Sequence, residues 1–165
     1  YTPCFRREAG SYGSEVRGLN RLHQFDKVEI VRIEEPSKSY EVLDEMVEHV
    51  KNLLLELELP FRIVRLCGGD LGFTSALTYD FEVYSMGQNK WLEVSSVSNF
   101  ESFQSNRLNL KIDLGDKKKN YAHTLNGSSL ALPRIVACIL ENFQEKDHIN
   151  IPEKLHKYTD IKQKK

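Results

Sequence analysis

Cysteine, long apolar runs and an excess of charge of one sign are all scarce in this chain of 165 residues. Its cysteines, Cys4, Cys67 and Cys138, are odd in number, far apart and without metal-ligand spacing, so we expect free thiols in a reducing compartment. No apolar run is long enough to span a bilayer, and no signal-peptide pattern opens the chain. We therefore expect a cytoplasmic protein with no membrane partner.

The balance of charges limits the partners that the chain can bind by itself. Its formal net charge of -1 argues against a broad electrostatic surface for nucleic acid. Any contact with nucleic acid must come from local basic patches or from other parts of a longer protein. The length fits one domain that can bury a core, and because the first residue is Tyr1, we expect the chain to begin inside a larger protein.

Residues 4–30 combine charge, glycine and one aromatic residue in the pattern of a hairpin. A strand predicted over residues 5–8 is followed by a polar loop with several glycines and by a return strand predicted over residues 21–33. Side chains alternate with period two, so Phe25, Lys27 and Glu29 share one face. An aromatic ring, a cation and a carboxylate together suit a nucleotide and a small charged molecule.

The rest of the chain predicts an α+β fold, an antiparallel β-sheet flanked by helices. Apolar residues at helical spacing predict a helix over residues 40–58, and residues 61–67 read as a buried strand. Residues 78–85 and 90–98 form a predicted hairpin, residues 100–110 are either helical or irregular, and residues 121–127 form another strand. A last helix has Pro133 in its first turn. Its predicted sheet-facing residues are Ile135, Val136, Ile139, Leu140 and Phe143.

Two carboxylates interrupt apolar strands. Glu82 and Glu93 each face either solvent or a cation, because an unpaired buried carboxylate is too costly, and singly each is expected to face solvent. Taken singly, Arg6 likewise suggests a surface ion pair and Phe25 a core residue. Their convergence favours a nucleotide triphosphate site, in which the ring stacks on adenine, arginine binds phosphate and carboxylates hold Mg²⁺. The set is Arg6, Glu8, Phe25, Glu29, Glu93, Ser96 and Arg134.

Three stretches also carry a family resemblance. FRREAG followed by RGLNRLHQFDKVEI, within residues 4–30, resembles motif 2 of the class II aminoacyl-tRNA synthetases, in the form found in the seryl-tRNA synthetase family. Residues 65–107 resemble the central part of the same catalytic domain, and HTLNGSSLALPRIVACILENFQ, which runs from His123 to Gln144, resembles motif 3, expected over residues 124–144. The resemblance implies one partial catalytic domain over residues 1–165. The family's motif 1, a threonine-containing loop before motif 2 and an N-terminal tRNA-binding arm are expected to be absent.

The resemblance also implies a role for each matching residue. Arg6 binds the α-phosphate and the substrate carboxylate, and Arg134 binds the γ-phosphate, so both are expected to be catalytic. The implied ATP-binding residues are Arg6, Arg7, Glu8, Leu22, Phe25, Glu93, Val94, Ser95, Ser96 and Arg134. The implied serine-binding residues are Arg6, Arg21, Glu29, Asn126 and Ser128. Glu93 and Ser96 are implied to hold Mg²⁺.

The function implied by the resemblance is that of an ATP-dependent serine–tRNA ligase. Such an enzyme activates L-serine with ATP and transfers the seryl group to the 3′ end of tRNA(Ser), as a homodimer in its full-length form. This chain alone is expected to be inactive. Two alternatives stay open: a synthetase-like ligase that loads another amino acid or carrier, and a non-catalytic synthetase-like binding module.

Overall fold

The structure is a computed structural model that describes residues 1–7, 18–113, 115, 119–159 and 163–164. Its main strands are β1 (Thr2–Phe5), β2 (Gln24–Glu34), β3 (Phe61–Arg65), β4 (Leu77–Ser85), β5 (Lys90–Asn99) and β8 (His123–Ala131). Its helices are α1 (Ser39–Glu56), α2 (Phe103–Leu108), α3 (Leu132–Asn142) and α4 (His156–Thr159). Short strand pairs are β6 (Lys111–Asp113) with β7 (Lys119–Tyr121), and β9 (Ile149–Asn150) with β10 (Gln163–Lys164). Single 3₁₀ turns cover Gly18–Asn20 and Glu153–Leu155.

The main strands form one antiparallel sheet of six strands in the order β1-β2-β8-β5-β4-β3. Helices α1 and α3 cover one of its faces, and their apolar side chains pack on Phe81, Val97 and Leu125, all fully buried. This arrangement confirms the predicted α+β class. No helix in the described part of the chain has the length and apolar character needed to cross a membrane.

The opposite face of the sheet is polar at its centre. Thr78 lies opposite Ser98, Ser98 opposite Asn126, and Asn126 opposite Val31, so these four side chains share a face. Alternation along the strands adds Ser96, Ser128 and Glu29 to that face. The sheet therefore separates an apolar core from a polar surface that carries the predicted site residues Glu29, Ser96, Asn126 and Ser128.

Several predicted boundaries differ from the structure. The first strand ends at Phe5, so Arg6 follows it, and the return strand starts at Gln24 because residues 18–20 form a 3₁₀ turn. The predicted buried strand over residues 61–67 is wrong in environment: β3 is an edge strand whose residues are exposed or half-buried. Residues 103–108 are helical, which settles the ambiguity over residues 100–110. The predicted loop over residues 9–17 lies outside the described residues.

The predicted buried face of α3 is only partly correct. Ile135 and Ile139 are buried as predicted, but Val136 and Leu140 are 47% and 36% exposed. Cys138 is buried in their place. Val136 lies about 100° around the helix from the buried Ile135, and Leu140 lies about 100° from the buried Ile139, so both apolar side chains turn away from the sheet.

Candidate active site

A cavity of about 200 Å³ lies where the start of α3 meets β2 and β5. The end of β8 and the 3₁₀ turn at Gly18–Asn20 close its sides. The residues that line it are Arg6, Leu19, Asn20, Arg21, Leu22, Phe25, Lys27, Glu93, Val94, Ser95, Ser128, Ala131, Pro133 and Arg134. The cavity is thus bordered by cations, one aromatic ring and one carboxylate.

The hairpin of β1 and β2 supplies the ring and one of the cations. Phe25 lies opposite Cys4 in the ladder, and just beyond the ladder the backbone N–H of Arg6 donates to the carbonyl oxygen of His23 at 2.8 Å. The guanidinium carbon of Arg6 lies 4.8 Å from the centroid of the Phe25 ring, within the range of a cation–π contact. The backbone therefore holds cation and ring together at one wall of the cavity.

The other arginine comes from the start of α3. Pro133 fits there because proline suits the first turn of a helix, where its missing N–H costs nothing. Arg134 Nε donates to the carbonyl oxygen of Asn20 at 3.1 Å, and its Nη1 donates to the carbonyl oxygen of Glu93 at 2.5 Å. The side chain of Arg134 is 23% exposed. Two backbone acceptors thus fix the guanidinium on the wall opposite the hairpin.

Glu93 is the carboxylate of the cavity, and its charge is set by its neighbours. Burial and the nearby Asp80 raise its pKa, whereas Arg134 and Arg6 act to lower it. Arg134 Nη1 lies 4.0 Å from Glu93 Oε2. An irregularity in the register between Phe81 and Glu82 puts Glu82 opposite Glu93 while Asp80 stays opposite Ser96. Acidic and hydroxyl oxygens therefore gather beside two arginines.

The oxygens around Glu93 fit a hard cation such as Mg²⁺. Within the part of the chain that the structure describes, no group of three or more His, Cys, Asp or Glu could hold a metal ion. Mg²⁺ does not require such a group, because it usually keeps water and binds one or two carboxylates together with substrate phosphates. One buried oxygen nearby, Asp80 Oδ1, has no hydrogen-bond partner among the described residues. The donor chemistry thus fits an ion that is shared with a bound nucleotide.

A second polar group lies where β2 pairs with β8. Ser128 is opposite Glu29, and its hydroxyl lies 3.5 Å from Glu29 Oε2. Lys27 Nζ is 2.7 Å from the same oxygen. Asn126 is one step further along β8, where its Nδ2 lies 3.4 Å from Gln104 Oε1 of α2. This group extends the cavity along the polar face of the sheet.

The structure brings together most of the predicted site residues. Nine of them line the cavity, namely Arg6, Arg21, Leu22, Phe25, Glu93, Val94, Ser95, Ser128 and Arg134. Ser96 and Glu29 are next to lining residues, since Ser96 follows Ser95 in β5 and Glu29 contacts Ser128, while Asn126 and Arg7 are also outside the lining. Glu8 lies outside the described residues.

Two contributions to the site were missed from the sequence. Asn20 accepts the hydrogen bond from Arg134 through its backbone, a role that no side-chain pattern signals. Asp80 was also missed. The signal for it was the predicted hairpin of residues 78–85 and 90–98, which brings Asp80 close to Glu93 and Ser96. The sequence did not predict the register irregularity between Phe81 and Glu82 in that hairpin.

Known proteins resemble this chain over almost its whole length. It is 58% identical over 161 residues to a serine–tRNA ligase of Salinibacter ruber, a match that covers 96% of this chain and 38% of the relative. A seryl-tRNA synthetase of Pyrococcus horikoshii complexed with ATP superposes with a TM-score of 0.93 at 44% identity, over 98% of this chain and 36% of that one. A cytoplasmic serine–tRNA ligase of Naegleria fowleri in complex with AMP gives a TM-score of 0.93 at 33% identity, over 99% and 40%.

These matches confirm the family resemblance of the three stretches, and they show how much of each relative the chain covers. The chain spans less than half the length of the relatives that it matches. Residues 1–143 match the family model described as the tRNA synthetase class II core domain (G, H, P, S and T). The chain therefore belongs to the family of class II tRNA synthetase core domains.

Proposed function

We propose that the chain is part of an ATP-dependent serine–tRNA ligase, which activates L-serine with ATP and transfers the seryl group to the 3′ end of tRNA(Ser). The observation that carries this proposal is the cavity in which Phe25, Arg6, Arg134 and Glu93 meet. The similar proteins of S. ruber, P. horikoshii and N. fowleri carry names with this activity.

The proposed place of the chain is the C-terminal part of the catalytic domain, with motif 2 at residues 4–30 and motif 3 at residues 124–144. Motif 1, the dimer interface that it builds and the tRNA-binding arm then belong to the rest of a longer protein. The homodimer and the contact with tRNA(Ser) follow from that assignment, as does inactivity of this chain alone. A cytoplasmic location agrees with the N. fowleri relative, which is named as cytoplasmic.

In the proposed reaction, Phe25 stacks on adenine and the arginines neutralise phosphate. The serine carboxylate is already ionised, so its attack on the α-phosphate needs positioning and charge neutralisation rather than a general base. Arg6 binds the α-phosphate and the serine carboxylate, and Arg134 binds the γ-phosphate of the departing pyrophosphate. Arg7, Glu8, Leu22, Val94 and Ser95 complete the ATP site. Glu93 and Ser96 would hold Mg²⁺, which would supply further positive charge to the phosphates.

Serine is proposed to bind along the polar face of the sheet. Glu29 accepts the ammonium group, and Arg21, Asn126 and Ser128 surround the rest of the molecule. The contact of Ser128 with Glu29 supports this grouping. Polar groups placed around the serine hydroxyl would be left without a partner by alanine, and such losses can reject an analogue by a factor on the order of 10⁴. Exclusion of threonine then depends on steric fit.

Serine-dependent exchange between ATP and pyrophosphate in the full-length protein tests the proposal. We expect exchange with serine, and we expect Arg134→Ala to reduce it by a factor on the order of 10² or more, because a cation at the phosphates is lost. The matched control is Arg62→Ala, since Arg62 pairs with Glu82 at 2.5 Å outside the cavity lining.

Two results would contradict the proposal in different ways. Better exchange with glycine or alanine than with serine would indicate a ligase that loads another amino acid or carrier. No exchange with any amino acid, or full exchange in the Arg134→Ala variant, would favour a non-catalytic binding module or a different site.

A further inference from the structure

Asp80 occupies a central place beside the proposed cation site. It lies directly opposite Ser96 in the β4–β5 ladder, so the hydroxyl of Ser96 is placed to donate to its carboxylate. Residues opposite each other in an antiparallel ladder share a face of the sheet, so the two side chains meet on its polar side. Asp80 is also the charged residue that most strongly opposes ionisation of Glu93.

The environment of Asp80 is unfavourable for a residue that serves the fold alone. Oδ1 of its carboxylate is buried and has no partner within the described part of the chain. The other nearby charges on β4 and in the preceding loop, Glu82 and Asp70, are also acidic. Burial of a carboxylate oxygen without a partner costs free energy, and among the described residues no cation lies within ion-pair distance of Asp80 to offset it.

The next pair along the same strands shows what a purely structural contact looks like. Thr78 lies opposite Ser98, and their hydroxyls are 2.8 Å apart in a buried hydrogen bond. That pair satisfies its polar atoms without any charge. A carboxylate at position 80 therefore calls for a role that a hydroxyl cannot perform.

We propose that Asp80 is a positioning residue of the cation site: it holds the hydroxyl proton of Ser96 and so turns the oxygen lone pairs of Ser96 toward an ion beside Glu93. The role rests on the proposed function, which places Mg²⁺ at Glu93 and Ser96. An acceptor behind a ligand oxygen fixes its orientation and increases its basicity, and loss of such a partner typically lowers metal affinity 10–100-fold.

Binding of Mn²⁺ to the full-length protein, measured by electron paramagnetic resonance with a saturating non-hydrolysable ATP analogue, tests the proposal. We expect Asp80→Asn to weaken Mn²⁺ binding at least roughly tenfold. Ser96→Ala should weaken it similarly, and the double variant should bind about as weakly as Ser96→Ala alone. That non-additivity is what action through Ser96 requires. Asp80→Ser, which retains a small polar group, provides a second variant should Asp80→Asn fold poorly.

The control is Thr78→Val, which removes the neighbouring cross-strand hydrogen bond and preserves side-chain shape. It should bind Mn²⁺ within about twofold of the unmodified protein. Unchanged Mn²⁺ affinity in folded Asp80→Asn or Asp80→Ser, or losses that multiply in the double variant, would overturn the proposal. Affinity for the ATP analogue without metal should stay the same in all variants. Mn²⁺ binding that depends on Asp80 in a protein without serine-dependent exchange would refute the proposed function while upholding this role.

Discussion

The guanidinium of Arg6 lies over the ring of Phe25, with 4.8 Å from its central carbon to the ring centroid. Two residues that sequence analysis assigned to one nucleotide are therefore already in contact across the β1–β2 hairpin. The pair presents a flat aromatic surface next to a cation, which matches the base and phosphate ends of a nucleotide. This relationship makes the ring the most direct probe of nucleotide binding.

Replacement of the ring should weaken nucleotide binding more than replacement of any exposed ring elsewhere. Stacking of a base on an aromatic side chain contributes about 1–3 kcal/mol, so Phe25→Ala should raise the dissociation constant for ATP roughly 5- to 150-fold. Phe25→Tyr should preserve most of the affinity. Phe73→Ala is the control, because that ring is 90% exposed and does not line the cavity. Isothermal titration calorimetry on the full-length protein measures all three, and equal losses in Phe25→Ala and Phe73→Ala would contradict the stacking assignment.

Loss of the carboxylate of Glu29 should weaken the binding of serine and leave the binding of ATP unchanged. Its Oε2 is 2.7 Å from Lys27 Nζ and 3.5 Å from the Ser128 hydroxyl. A hydrogen bond to a charged group contributes about 1.5–3 kcal/mol, so Glu29→Gln should raise the KM for serine roughly 10- to 150-fold in the exchange reaction. The KM for ATP should not change. Glu34→Gln is the matched control, since Glu34 is on the same strand and pairs with Arg32 at 2.6 Å. A larger effect on ATP than on serine would move Glu29 to the nucleotide site.

Gly127 is required by the close approach of β8 and β5. A Cβ at this position would lie 2.8 Å from Val97 Cγ2 and 3.0 Å from the carbonyl oxygen of Ser96. Such overpacking costs about 1–3 kcal/mol, so Gly127→Ala should lower the free energy of unfolding by that amount. Urea denaturation followed by circular dichroism measures the change. Gly68→Ala is the control, because nothing lies within 4 Å of its Cβ position, and a similar loss there would show that crowding is not the cause.

Local sequence patterns predicted the strands and helices of the site better than they predicted the register between strands and the packing of α3 on the sheet. Alternation placed Phe25 with Lys27 and Glu29, and Pro133 marked the helix start that carries Arg134, because both depend on neighbouring residues alone. The opposition of Asp80 and Ser96 depends on an irregularity between Phe81 and Glu82, which has no local signature. The exposure of Val136 depends likewise on how α3 lies on the sheet.

Burial of His123 should make stability depend on pH. Its Nδ1 is 2.7 Å from the hydroxyl oxygen of Ser39, which accepts a hydrogen bond from Asn99 Nδ2 at 3.1 Å. Burial lowers the pKa of His123 below its ordinary 6.5, although the negative charge of Glu101 acts in the opposite direction. Below pH 6.5 the unfolded chain therefore binds more protons than the folded one. The stabilisation is complete above that pH and is lost as pH falls toward the folded-state pKa.

His123→Gln should remove this dependence. Between pH 7.5 and 5 the Tm of the unmodified protein should fall more steeply than that of the variant. The reason is that His123 gains a proton on unfolding in this range, whereas glutamine at the same position cannot. Differential scanning calorimetry over that range measures both slopes. His49→Gln on the exposed side of α1 is the control, and it should retain the slope of the unmodified protein. Parallel slopes in the His123→Gln variant and the unmodified protein would show that other groups set the acid sensitivity.

Cys138 should resist thiol reagents in the folded protein while Cys67 reacts. Cys138 is a fully buried residue of α3, and burial raises its pKa from 9.0 to about 12, with a smaller contribution from Glu141. Because the thiolate is the reactive species, a pKa about three units higher lowers its concentration at neutral pH about 10³-fold. Peptide mapping by mass spectrometry after iodoacetamide treatment should find Cys67, which is exposed, modified first. Unfolding in urea should equalise the two rates, and equal labelling in the folded state would show that α3 opens readily from the sheet.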